Sequence, residues 1–183
     1  MIKTLRELYK ELDQLFLGIS KFCWQCKDYD CQGYVWLLPQ EAERLYKLGI
    51  EVLEVNNSVS FIHCFSDKGG KINVELYKPQ CPYYKGRKCT IYKSRPLACR
   101  MYPLNFASED GIIYLVLHLD CLFSRQKGNI SFQKQAISLF KKVDLELLKK
   151  MVENYKLVYD LSKFPRQKNR YLPLIKTDQF FCQ

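Results

Sequence analysis

Nine cysteines stand in this chain of 183 residues, and eight of them fall between Cys23 and Cys121. Cys23-Trp24-Gln25-Cys26, followed by Cys31, has the knuckle spacing that lets two sulfurs reach one ion while backbone N–H groups donate to the thiolates. Cys81 and Cys89 bracket a second loop, in which Gly86 suits a tight turn. Cys64 lies between the two groups, and Cys99 and Cys121 follow the second. Thiolates in such number hold either zinc or an iron–sulfur cluster, since both accept four sulfur ligands. A thioredoxin-like redox pair needs Cys-x-x-Cys at the end of a strand in a βαβ unit, whereas here the pair follows a helical pattern. The bacterial ferredoxin run of cysteines is absent. Cysteines also serve as small buried hydrophobes, but that role does not explain their clustering.

Redox compartment bears on the same choice. The first residues, Met1-Ile2-Lys3-Thr4-Leu5-Arg6-Glu7, are interrupted by charge and lack the apolar core of a secretory signal, which predicts a cytoplasmic chain. Reducing conditions there favour metal ligation over disulfides. The longest apolar run, Ile112 to Leu117, is too short to span a bilayer, so no membrane association is expected. Net charge is +10. Two four-thiolate zinc sites would reduce it to about +6. The remaining basic surface admits an acidic protein partner or nucleic acid.

Other residues are weighed against their ordinary roles. Arg95 and Arg100 flank Cys99 and would offset thiolate charge or bind an anion; as surface arginines they would do neither. His63 and Cys64, adjacent in a predicted strand, point to opposite faces, and Cys64 is favoured for the site. His118 reads as a core histidine and Cys182 as a simple thiol. Tyr83, Tyr84, Tyr92 and Tyr102 would stack bases if the protein bound single-stranded nucleic acid, but tyrosines more often pack a small core.

The stretch Cys81-Pro82, Cys89-Thr90-Ile91-Tyr92 and Arg95-Pro96-Leu97-Ala98-Cys99-Arg100-Met101-Tyr102-Pro103 closely resembles the YkgJ-type cysteine-cluster family of zinc- or iron-chelating proteins. The resemblance spans residues 23 to 121 and implies that Cys23, Cys26, Cys31, Cys81, Cys89 and Cys99 are metal ligands, with Cys121 a further candidate. Where the family carries a cysteine doublet this chain has Asp30-Cys31, after three residues rather than two. Cys64 would replace the missing sulfur; Asp30 would do so with oxygen, although a loop aspartate is commonly just solvated. Some longer relatives are lysine N-methylases acting on flagellin, which makes a cluster-dependent methylase one alternative. This chain lacks a glycine-rich nucleotide fingerprint. A zinc-dependent nucleic-acid-binding module is the other alternative to a metal-binding, electron-transfer or oxidoreductase module.

The elements that must position these residues follow from periodicity. Ile2, Leu5, Leu8, Leu12, Leu15 and Ile19 form a helical stripe, with Thr4 and Glu7 at capping-box spacing and Gly18 at its end. A second helix is expected from Pro39 or Gln40 to Leu48, ended by Gly49. Residues 51 to 77 read as strands, Val59–Phe65 and Lys71–Tyr77 being joined by Asp67-Lys68-Gly69-Gly70. Ile112–Leu119 reads as a buried strand. Ser131 is expected to cap a helical region over 131–162, divided at Asp144. The expected class is α+β: a small cysteine-rich, metal-organised domain over 1–165, with a β-hairpin core and helices at both ends, and a basic tail at 166–183.

Overall fold

A computed structural model describes residues 1–23, 25, 35–55, 59–62, 81–86, 88–158 and 170–180. The architecture is mixed α+β. Contacts divide the chain into two compact units, one made of Met1–Cys26 with Arg100–Gln183 and the other of Lys27–Cys99.

In the first unit, α1 (Leu5–Leu15) begins as its sequence dictates. Thr4 Oγ1 accepts the Glu7 N–H at 3.2 Å, and the Glu7 carboxylate accepts the N–H groups of Lys3 and Thr4 at 2.8 and 3.0 Å. Leu8 and Leu12 are the buried face of α1. Gly18 takes φ +83°, a backbone state that costs glycine little, and α2 (Ile19–Cys23) follows. The N–H groups of Lys3 and then Thr4 hold the Glu7 carboxyl below its usual range. The stability this cap contributes is therefore present above the ordinary carboxylate range and lost as pH falls through the lowered value. Glu7→Gln should lose stability near neutral pH but match the parent in acid. Thermal melts of both proteins across pH 2–7 check this; a gap that persists in acid contradicts it.

The sheet of this unit has the order β6-β7-β8, antiparallel throughout, from Leu104–Glu109, Ile112–His118 and Tyr171–Lys176. β7 is central and has no polar residue before His118, because both of its faces are covered. One face carries Leu104, Phe106, Leu115 and Leu117; the other buries Ala107 and Val116 against Tyr114 and Tyr171. The helices α6 (Ile130–Phe140) and α7 (Leu145–Val158) follow α5 (Leu122–Lys127), and Phe140 meets Phe106 edge-on at 5.6 Å.

Two expectations need correction here. The cap of α6 is Asn129, whose Oδ1 accepts the Phe132 N–H at 3.0 Å, rather than Ser131. Asp144 does divide the helical region, accepting the Glu146 N–H at 3.1 Å. Tyr171–Lys176, expected within a basic tail, is an edge strand paired to β7. Pro173 obscured it, since proline is tolerated in a strand only where no ladder bond is needed, as at an edge.

The second unit builds a sheet from β1 (Trp36–Leu37), β2 (Val52–Val55) and β3 (Val59–Ile62), in the order β1-β3-β2. Between β1 and β2 runs α3 (Pro39–Lys47), with proline in its first turn as expected and Gly49 at φ +74° after its end. Val35, Leu37, Leu45, Ile50 and Ile62 form its core. Of the expected Val59–Tyr77 hairpin, the turn and second arm lie outside the described residues. Among those described, no helix is long and apolar enough to cross a membrane.

Candidate metal centre

In the unit Lys27–Cys99, Cys81 and Cys89 sit at the two ends of a small hairpin, β4 (Tyr84–Lys85) with β5 (Lys88–Cys89). Gly86 turns it with φ +55°, which a residue with Cβ adopts only under strain. Tyr83 locks the base: its carbonyl accepts the Thr90 N–H at 2.8 Å and the Thr90 hydroxyl at 3.0 Å, and its own hydroxyl accepts the Glu51 N–H at 3.3 Å. The Cys81 sulfur faces the N–H groups of Tyr83 and Tyr84, and the Cys89 sulfur faces that of Ile91. Burial pushes both thiols above their ordinary value. The Tyr83 and Tyr84 N–H groups oppose it at Cys81, where a charge on Cys89 adds to the upward push. At Cys89 the Ile91 N–H and the Arg95 charge oppose burial.

Cys99 lies in α4 (Leu97–Met101), and it packs with Cys81 against the Val35–Ile62 core. A buried carboxylate anchors the start of that helix. Glu41, only 1% exposed, accepts the Leu38 N–H at 3.0 Å and the Leu97 N–H at 2.6 Å, tying α3 to the segment that carries Cys99. The partner of Glu41 lies 56 positions away and leaves no local signature in the sequence. Glu41→Ala leaves the Leu97 N–H buried and unpaired and should cost about 2–3 kcal/mol. Urea titration of the variant checks this, and a change within error of the parent would refute the anchoring role.

Of the two flanking arginines, Arg95 places its charge near the Cys89 sulfur. Its guanidinium lies 3.7 Å over the Tyr92 ring and its Nε donates to the Tyr92 carbonyl at 3.1 Å. Arg100, in the other unit, is buried and pairs with Asp13 of α1 at 2.5 Å, with Tyr9 stacked 4.5 Å away.

The first unit holds Cys23 as the last residue of α2 and Cys121 as the cap of α5. These two helices pack together through Phe22 and Phe123, edge-on at 5.4 Å, within a group that includes Phe16 and Phe132. Burial pushes the Cys121 thiol up. Four groups pull it down: the N–H groups of Ser124 and Phe123, then the hydroxyls of Tyr102 and Ser124. His118 at the end of β7 is 4% exposed; its Nδ1 lies 3.0 Å from the Tyr102 hydroxyl and its ring stacks on Tyr171 at 4.8 Å.

Five of the expected ligands are thus described, and none of these five is in a disulfide. Cys26, Cys31 and Cys64 lie outside the described residues, as do Asp30, His63 and Cys182. Among the described residues no three Cys, His, Asp or Glu side chains are grouped to hold an ion. The donor chemistry nevertheless suits a thiophilic metal. At Cys81, Cys89 and Cys121 the N–H two residues on faces the sulfur, the arrangement that stabilises a metal-bound thiolate.

Paired cysteine motifs and amide-cradled sulfurs on an α+β scaffold define the class of cysteine-rich domains. The family model CxxCxxCC, described as a "putative zinc- or iron-chelating domain", matches residues 21–122, more than half of the chain, and the chain belongs to that family. No curated protein and no solved structure matches it.

Proposed function

We propose that this chain binds zinc or iron through cysteine thiolates. Cys81, Cys89 and Cys99 are its sulfurs in the unit Lys27–Cys99, and Cys23 and Cys121 are its sulfurs in the other. By sequence, Cys26 and Cys31 are further ligands from the Cys23 motif, and Cys64 replaces the missing family cysteine. The observation that carries this reading is the repeated N–H···S arrangement at Cys81, Cys89 and Cys121. A neutral thiol is a weak acceptor and gains little from two or three donors, whereas a metal-bound thiolate keeps lone pairs for them. Arg95 beside Cys89 offsets part of the negative charge that four thiolates leave on such a centre. Thiols used in this way persist in a reducing compartment, which is why we propose the cytoplasm.

The metal would supply a fixed point that ties loops to the small core, and iron with sulfide would add one-electron chemistry. Elemental analysis and an absorption spectrum of anaerobically purified protein test the proposal together. Broad visible absorption with iron and acid-labile sulfide would support an electron-transfer or oxidoreductase module. A colourless protein with stoichiometric zinc would support a structural centre. Folded protein that carries neither metal and takes up neither on addition would overturn the reading.

A further inference from the structure

The polar cluster at the end of β7 is more elaborate than a buried cysteine requires. Tyr102 and His118 meet edge-on, ring centroids 5.7 Å apart, with the hydroxyl 3.0 Å from Nδ1. His118 is clamped on its other side by Tyr171, and its Nε2 lies 3.9 Å from the Asp120 carboxylate. Asp120 is itself held by Arg170, and by Arg125 at 3.4 Å. The imidazole therefore has little freedom to turn, and the phenol it contacts is fixed in consequence. That phenol faces the Cys121 sulfur, as do two backbone N–H groups. Two amides and a phenol aimed at one sulfur suit a thiolate, which is a far better acceptor than a neutral thiol.

We propose that Tyr102 is a positioning residue for Cys121: with its hydroxyl held by His118, it donates a hydrogen bond to the metal-bound sulfur and so tunes the strength of that sulfur's bond to the metal. This rests on the reading of Cys121 as a ligand. Outer hydrogen bonds of this kind change metal affinity by about 10- to 100-fold.

Cobalt(II) is a suitable probe, because each Co–S bond contributes to a near-ultraviolet charge-transfer band whose energy follows the electron density on sulfur. Tyr102→Phe should keep the band's intensity, because no ligand is lost, while shifting its energy and weakening Co(II) binding about tenfold. His118→Leu, which keeps the phenol but removes its holder, should shift the band in the same direction. His118→Asn, whose amide nitrogen can occupy the Nδ1 position, should restore the parent spectrum. A merely structural role for Tyr102 would leave the band energy unchanged in every variant that folds. Cys121→Ser separates the two layers of the argument. If it loses one thiolate's intensity while Tyr102→Phe and His118→Leu keep the parent's band energy and affinity, the positioning role is overturned and the ligand reading stands. If Cys121→Ser keeps full intensity, Cys121 is not a ligand and the proposal falls with that assignment. If the parent protein gives no charge-transfer band, the thiolate-metal reading itself fails.

Discussion

Chelation of the purified protein should unfold the unit Lys27–Cys99 while the sheet of the other unit survives. The reason is the size of the core. Among the described residues that unit buries eight hydrophobic side chains, Val35, Trp36, Leu37, Leu38, Leu45, Ile50, Ile62 and Leu97, with Ala42, Val52, Tyr83 and Ile91 packed against them. A segment of that size with so few buried side chains rarely supplies more than about 3–5 kcal/mol without a staple. A structural thiolate centre adds on the order of 10 kcal/mol, because the site does not exist in the unfolded chain. Losing it would therefore take the unit past its stability limit. The other unit is differently placed, since Phe106, Phe140, Leu115, Leu148 and Met151 are fully buried in it.

Hydrogen exchange read by mass spectrometry before and after chelation resolves the two units. Protection should vanish over 35–62 and 81–99 and persist over 104–118. Cys81→Ser with Cys89→Ser should reproduce the chelated pattern without a chelator. Protection retained in both units after complete metal loss would show that any bound metal is not structural.

Phe106→Ala is the second change with a large expected effect, about 3–5 kcal/mol. Phe106 is wholly buried in β6, faces Leu115 across the ladder and stacks edge-on against Phe140 of α6. Removing the ring leaves a cavity where strand and helix meet, and the surrounding elements can collapse only partly. For a protein of this length the loss corresponds to a fall in melting temperature of roughly 10 °C. Phe106→Leu should recover more than half of it, because most of the apolar volume returns. Differential scanning calorimetry on both variants checks the ordering. An alanine variant that melts within 2 °C of the parent, on the order of 0.5–1 kcal/mol, would mean that this contact carries little of the unit's stability.

What could be read along the chain was whatever depends on neighbours three or four residues away. The Thr4–Glu7 capping box, proline in the first turn of α3, the positive φ of Gly86 and the strand from Ile112 are each set by local sterics and local hydrogen bonds. The cysteine motifs are legible for a related reason: metal ligation constrains residue type and short spacing, so family membership over 21–122 follows from a pattern of letters. Distant partners left no such trace. β6 and β8 are strands because β7 needs a neighbour on each edge, and nothing inside Leu104–Glu109 or Tyr171–Lys176 announces that pairing. The bond from Leu97 to Glu41 and the contact of Tyr102 with His118 join residues 56 and 16 positions apart. Such pairs form only when folding brings them together and removes the water that would otherwise satisfy each group. The order of residues thus fixed which sulfurs this protein carries and how they are spaced. Tertiary structure decided which backbone amides, hydroxyls and charges surround those atoms, because burial and hydrogen-bond geometry arise only once distant segments pack.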